Sequence, residues 1–180
     1  MTFETVEPVF VRLRDYVLRD VAKITDQAVG GNYAATAVVV CACDALGNLT
    51  YGAENTGARF FSEFVLPEKW RLVGGSIYSA LRHGLVHLYE TKSIRIGGRT
   101  IELSVSWKER PHLTFNEDRT ILFVNVQTMR AEMEGAFERI RQKLLEEAAF
   151  RYEFYMRSKA GTVLDARPGD VDAWKALLSE

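Results

Sequence analysis

At 180 residues, with 47% hydrophobic and 26% charged side chains, the chain has the length and composition of one globular domain and lies outside the range of disordered, collagen-like or membrane-spanning sequences. A chain of this size buries roughly 70% of the surface its unfolded form exposes, enough for a core without disulfide or metal staples. The net charge of −1, from 23 basic and 24 acidic residues, excludes whole-molecule attraction to nucleic acid or membrane, so any polyanion site must be local. Cys41 and Cys43 stand two apart in an apolar run, which points to a reducing, cytoplasmic setting rather than a disulfide scaffold. The first ten residues carry Glu4 and Glu7 and no apolar leader segment, and no stretch is expected to span a membrane.

In chain order, residues 5–27 read as an amphipathic helix with Pro8 in its first turn and Val6, Phe10, Leu13, Val17, Val21 and Ile24 on one side. Residues 33–46 are almost continuously apolar and too long for a typical strand, which predicts a buried central helix in spite of the β-branched Val38, Val39 and Val40. Gly47 is expected to stop it, followed by a polar loop over 48–57 and a short aromatic helix that Pro67 closes, with Phe60, Phe61 and Phe64 against the core. From 68 to 90 the pattern is helical again, Leu72, Ile77 (or Tyr78), Leu81, Leu85 and Leu88 falling on one side.

The period then changes. Residues 93–96 and 99–107 flank Gly97 and Gly98, a pair suited to the positive φ angles of a type I′ turn, and predict a hairpin. A second hairpin is predicted from 112–115 and 120–126 around the polar turn at 116–119, making a small antiparallel sheet. Helix returns over 126–158, with Met129, Met133, Phe137, Ile140, Leu144 and Ala148 as its stripe; Phe150, Tyr152, Phe154 and Tyr155 at its far end suggest a partner surface. Residues 166–170 form a turn, after which Asp170 or Asp172 could cap a last short helix through Leu178. The expected class is α+β, mostly α, with one domain over 1–158, a β insertion at 93–126, and a tail over 159–180.

The stretch from Lys69 to Arg99 holds six basic residues (Lys69, Arg71, Arg82, Lys92, Arg95, Arg99) against one acidic, Glu90, and is the basic pole of the chain. Inside it, Arg82-His83-Gly84-Leu85-Val86-His87 gathers two of the three histidines. A histidine titrates near neutral pH and can act as acid or base, and an arginine stays protonated and presents a planar fork to phosphate oxygens. Residues five apart on a helix are about 140° apart, so Arg82 and His87 do not share a face, whereas His83 and His87 do. Alternatives weigh against this reading. Arg82 pairing with a surface acid would need no catalysis, and two histidines four apart form half a zinc site, but Gly84 stands where the HExxH pattern places its glutamate and no third ligand is near in sequence. Asp44, lone in an apolar helix, needs a hydrogen-bonding partner or reaches toward the basic motif; Glu63 is a solvated residue or an orienting carboxylate for Arg82; His112 reads as exposed.

The arginine, the polar residue after it and the histidine four further on, Arg82, His83 and His87, together with the flanking Leu-Arg-His-Gly-Leu-Val-His-Leu-Tyr and Lys92, resemble the motif of the HEPN superfamily (higher eukaryote and prokaryote nucleotide-binding domains). The resemblance implies a HEPN-like helical bundle and a metal-independent endoribonuclease of toxin or phage-defence type, built as a homodimer whose two motifs meet across a cleft. It implies Arg82 and His87 as catalytic, with His83 orienting or contacting phosphate, Lys92, Arg95 and Tyr89 binding RNA, and Asp44 and Glu63 in support. No cofactor or metal is implied. Leu85, Leu88 and Tyr89 are the candidate dimer contacts, Gly84 would admit the partner backbone, and an antitoxin or defence-system protein is a further possible partner. The alternative is a non-catalytic module of the same shape that binds nucleotide, RNA or a partner protein.

Overall fold

The computed structural model describes residues 1–26, 30–52, 56–88, 90–106, 110–160, 168–171 and 175, with only the backbone of His87 and Gly169. Gln27, Tyr89, Trp107, Asp172 and most of the predicted tail therefore lie outside the described residues. The chain is mostly helical, with one four-stranded mixed sheet.

Helix α1 (Phe3–Thr25) buries Val6, Phe10, Val17 and Val21, the stripe its spacing predicts. It starts two residues earlier than expected, which puts Pro8 inside the helix, on an exposed face. The apolar run forms α2 (Asn32–Tyr51), the central element, in contact with α1, the next three longer helices and the sheet. It is the one helix, among the described residues, that is long and apolar enough to cross a membrane, and it is the bundle's core helix.

Gly47 does not stop α2. The helix runs on to Tyr51 and ends at Gly52 with φ +73°. Arg157 from the last helix donates to the carbonyls of Leu49 and Thr50 at 3.1 and 2.9 Å, satisfying acceptors that a helix end leaves open. Gly47 is instead where α3 (Gly57–Phe60) approaches: a Cβ there would sit 2.6 Å from the backbone of Thr56. A single π-helical turn, Phe61–Val65, extends α3, and Phe60, Phe61 and Phe64 are buried as expected.

After Pro67 the helical pattern resolves into a 3-10 segment, Glu68–Val73, and α4 (Gly74–Leu88). At three residues per turn the 3-10 segment rotates Leu72 out of the predicted stripe, leaving it 99% exposed. Ile77, Tyr78, Leu81 and Leu85 are buried; Leu88, at the helix end, is not.

Strands β1 (Ile94–Ile96) and β2 (Arg99–Ser106) form the first predicted hairpin, with positive φ at both Gly97 and Gly98. Strands β3 (Thr114–Phe115) and β4 (Ile121–Asn125) form the second. The sheet is not purely antiparallel, however: β2 and β4 pair in parallel, giving the order β1-β2-β4-β3. Turn grammar describes strands adjacent in sequence, whereas this central pairing skips β3. Ile101, Leu103, Val105, Leu122 and Val124 occupy one face of the sheet, toward the bundle. The last predicted helix is two, α5 (Val126–Glu146) and α6 (Ala148–Ala160), broken at Glu147. Of the expected stripe Ala148 is exposed. Of the expected aromatic partner surface Phe154 is fully buried and Phe150 and Tyr155 pack on the core, which leaves Tyr152 outside.

The return from α4 to β1 is tied down locally. Lys92 N–H donates to the Ala80 carbonyl at 3.2 Å and Thr91 Oγ1 to the Leu103 carbonyl at 2.6 Å, so residues 90–92 fold back across α4. Gly84 is the residue they cross: a Cβ there would collide with the Glu90 carbonyl oxygen and stand 2.7 Å from the Lys92 nitrogen. The close backbone that Gly84 admits is thus the chain's own. Replacing Gly84 by Ala should cost about 1–3 kcal/mol, the clash outweighing the gain in helix propensity. Gly75→Ala, one residue into the same helix with nothing within 4 Å of its Cβ, should be neutral or stabilising by up to about 1 kcal/mol. Chemical denaturation of the two variants measures the contrast.

Candidate functional site

Helix α4 carries the motif on its solvent side. Ser76, Ser79, His83 and Val86 are exposed, Arg82 is half-buried at one margin of that arc, and Gly84 and Leu85 lie on the buried side. At about 100° per residue the helical position of His87 falls near that of Ser76, on the opposite margin from Arg82. The motif therefore spreads around the exposed arc.

Arg82 is held by the one acidic residue of α2. Its Nε–H donates to Asp44 Oδ2 at 2.9 Å, in an ion pair whose side chains are 28% and 40% exposed. Asp44 Oδ1 accepts from the Tyr78 hydroxyl at 2.5 Å, and Tyr78 lies one helical turn before Arg82. Both carboxylate oxygens are thereby engaged, which offsets the cost of placing a charge on an apolar helix. The hydrogen bond that Arg82 donates to Asp44 holds its guanidinium above its ordinary pKa, and Tyr78 is pushed upward by burial and then by donation to Asp44, so both remain protonated donors. Gly57 completes the pocket, since a Cβ on it would collide with both Asp44 and the Tyr78 hydroxyl. Tyr78 and Gly57 are missed by motif reading. The four-residue spacing from Tyr78 to Arg82 is the signal that was present for Tyr78.

The other candidates divide. Glu63 does not orient Arg82: it accepts from Tyr51 Oη at 2.6 Å and from Arg59 Nε at 2.9 Å, and Arg59 stacks over the Tyr51 ring at 4.0 Å. Burial alone would raise the Glu63 carboxyl, but those two donors overcome it and leave it below the usual range. Lys92 is brought beside the motif, its backbone lying over Gly84 while its side chain is exposed. Arg95 is exposed on β1, paired with Thr100, and sits nearer the start of α4 than its end. Tyr89 and the His87 side chain lie outside the described residues. Leu85, a candidate dimer contact, is 3% exposed and belongs to the core; Val86 and Leu88 are the apolar side chains exposed around the motif. Cys41 is exposed on α2 within the field of Arg82, but burial still raises its thiol, and burial raises the Cys43 thiol further. No group of three or more His, Cys, Asp or Glu among the described residues is placed to hold a metal ion.

His112 is not the exposed residue its sequence context predicts. Its imidazole is half-buried, with Nδ1 accepting from the Asn125 backbone N–H at 3.1 Å. Asn125 in turn caps α5, its Oδ1 accepting from Thr128 N–H and its Nδ2 donating to the Arg110 carbonyl. This is a fold contact, remote in sequence from the motif.

No protein-family model matches the chain, and neither a curated protein nor a solved structure is found to be similar to it.

Two measurements test the geometry. A double-mutant cycle on Asp44→Ala and Arg82→Ala should give a coupling of about 1 kcal/mol, the upper end for partly exposed pairs. At His112, burial pushes the pKa down from 6.5 to about 4. The unfolded imidazole takes up its proton at the higher pH, so the stabilisation from the neutral folded form is complete above pH 6.5 and is lost as the pH falls toward 4. Stability of the natural chain should drop over that window by up to roughly 3 kcal/mol more than that of His112→Asn, read from denaturation midpoints at each pH.

Proposed function

We propose that the chain is a HEPN-like, metal-independent endoribonuclease of toxin or phage-defence type, acting in the cytoplasm as a homodimer. The observation that carries this reading is the Asp44–Arg82 pair: a carboxylate from the central apolar helix fixes an arginine on the solvent-facing arc of α4, beside the exposed His83 and within the basic pole. A fixed, permanently charged guanidinium is what the charge gathering on phosphorus requires.

In this reading a base takes the proton from a ribose 2′-hydroxyl, whose oxygen attacks the adjacent phosphorus, and an acid protonates the departing 5′-oxygen. His87 of the two protomers fills these roles, Arg82 stabilises the phosphorane, and His83 contacts phosphate. Lys92 adds long-range attraction to the strand. Glu63 has no part, because Tyr51 and Arg59 occupy it. The exposed Val86 and Leu88 take the place of Leu85 in the dimer contact.

Purified protein incubated with RNA in excess chelator should produce a 2′,3′-cyclic phosphate and a free 5′-hydroxyl, and His87→Ala should abolish both. Arg82→Lys should be nearly as damaging as Arg82→Ala, since a point charge does not reproduce the guanidinium fork and lacks the Nε–H that Asp44 binds. Light scattering should report about twice the 20.4 kDa chain mass, and Leu88→Glu should lower it. RNA that binds but stays intact would select the non-catalytic module instead. Strict dependence on an added metal, or a persistent monomer, would overturn the ribonuclease.

A further inference from the structure

Between the start of α4 and the distal end of the sheet lies a cleft of about 190 Å³, walled by Trp70, Val73, Ile77, Ile101, Phe115 and Leu122. Its two aromatic rings come from different layers, Trp70 from the 3-10 segment and Phe115 from the edge strand β3, with centroids 5.9 Å apart and planes inclined by 42°. Ile77 and Leu122 are buried and close its floor, while Val73 and Ile96 are exposed on its rim. A space of this size admits one flat ring system rather than a helix or a strand of a partner protein.

The surroundings say what kind of ring. Arg95, on the opposite edge strand β1, lines the cleft, and Lys69 Nζ lies 6.0 Å from the Trp70 ring centroid; both are exposed, so an apolar slot is bordered by two cations. A ligand matching both features joins a planar apolar group to an anion. Ser76, at the mouth, is exposed on the same stripe of α4 as His83. Seven residues place the two within about 20° of each other around the helix and roughly 10 Å apart along it. Three nucleotides span that distance even at a stacked rise of about 3.4 Å each.

We infer that this cleft is a nucleobase-binding subsite, which takes an unstacked base of single-stranded RNA against the aromatic wall that Trp70 and Phe115 form together, while the strand runs along α4 toward His83. This deepens the ribonuclease reading and rests on it for the strand's path. Stacking on aromatic side chains accepts any base, because every base has a π-face. Selectivity for one base is therefore weak, and selectivity for unpaired over duplex RNA is strong.

The test is titration with AMP or UMP of the full chain carrying Trp107→Phe and Trp174→Phe, so that Trp70 is the sole tryptophan reporter. Saturable quenching is expected with either nucleotide and none with ribose 5-phosphate. Phe115→Ala should weaken binding about tenfold, the size of one stacking contact, and Ser76→Phe, which closes the mouth from an exposed position, should abolish it. In the otherwise unaltered chain, displacement of a fluorescent RNA octamer by the same nucleotides should follow the same order of variants. Absence of quenching, quenching by ribose 5-phosphate alone, or undiminished quenching in Ser76→Phe overturns the subsite. If nucleotides bind as expected and RNA is never cut, the base site stands and the ribonuclease falls. If RNA is cut equally well by the natural chain, Phe115→Ala and Ser76→Phe, the ribonuclease stands and the subsite falls.

Discussion

The rest of the molecule is arranged around a carboxylate on an apolar helix. Asp44 is the acidic side chain of α2, and although its side chain is 40% exposed, both of its oxygens meet protein donors, the ion pair contributing on the order of 1 kcal/mol. Tyr78 and Arg82 from α4 each engage one of its oxygens, and Gly57 of α3 supplies a surface with no side chain so that the group fits. Gly47, one turn further along α2, lets the backbone ahead of α3 come close. Three helices are thus brought into register by the needs of one ionised group. A consequence follows for Arg82, which is a fold residue as well as a candidate for chemistry. Removing it leaves Asp44 with an unmatched oxygen, so loss of activity in an Arg82 variant has meaning only beside its measured stability.

The sheet is attached to this framework by the buried face of Leu103, Val105, Leu122 and Val124 and by a short return from α4. Residues 90–92 cross Gly84 and are pinned to Ala80 and Leu103, which sets β1 alongside α4 while β2 packs on α2. The parallel pairing of β2 with β4 then carries Phe115 on β3 to the outer edge, opposite Trp70. The cleft lies between the start of α4 and the sheet, with the 3-10 segment as its third wall. Basic motif and aromatic cleft are in this way two parts of one surface, joined by the exposed arc of a single helix.

Much of this could be read from residue order. The apolar periodicities of α1, α4 and α5 name most of the side chains those helices bury, and the paired glycines at 97 and 98 mark a hairpin because their positive φ is a local requirement. What the sequence hid was decided by contacts distant in the chain. Gly47 has the composition of a stop but serves a helix crossing, and Leu72 has the spacing of a core residue but sits on a tighter helix. Two hairpins do not announce a parallel pairing between their inner strands. At the site, the contact from Asp44 to Arg82 was among the options its isolation suggested. Glu63 had the same local appearance, and only the positions of Tyr51 and Arg59 tell the two carboxylates apart.

The geometry of α4 also bears on why the proposed chemistry would need two chains. Arg82 lies at the margin next to α2, where Asp44 holds it, and the helical position of His87 lies at the other margin, toward the return segment over Gly84. Neither α2 nor the return segment can shift to bring those margins together, because each is fixed by the contacts that make the fold. A two-fold axis through the exposed arc between them resolves the problem without moving anything. In the proposed dimer it would set one protomer's Arg82 margin against its partner's His87 margin and repeat the arrangement on the other side. The same operation would place two arginines in one groove, where their repulsion would be lessened because each already carries its own Asp44. The carboxylate that orders the single chain would thus also make the pairing of two chains tolerable.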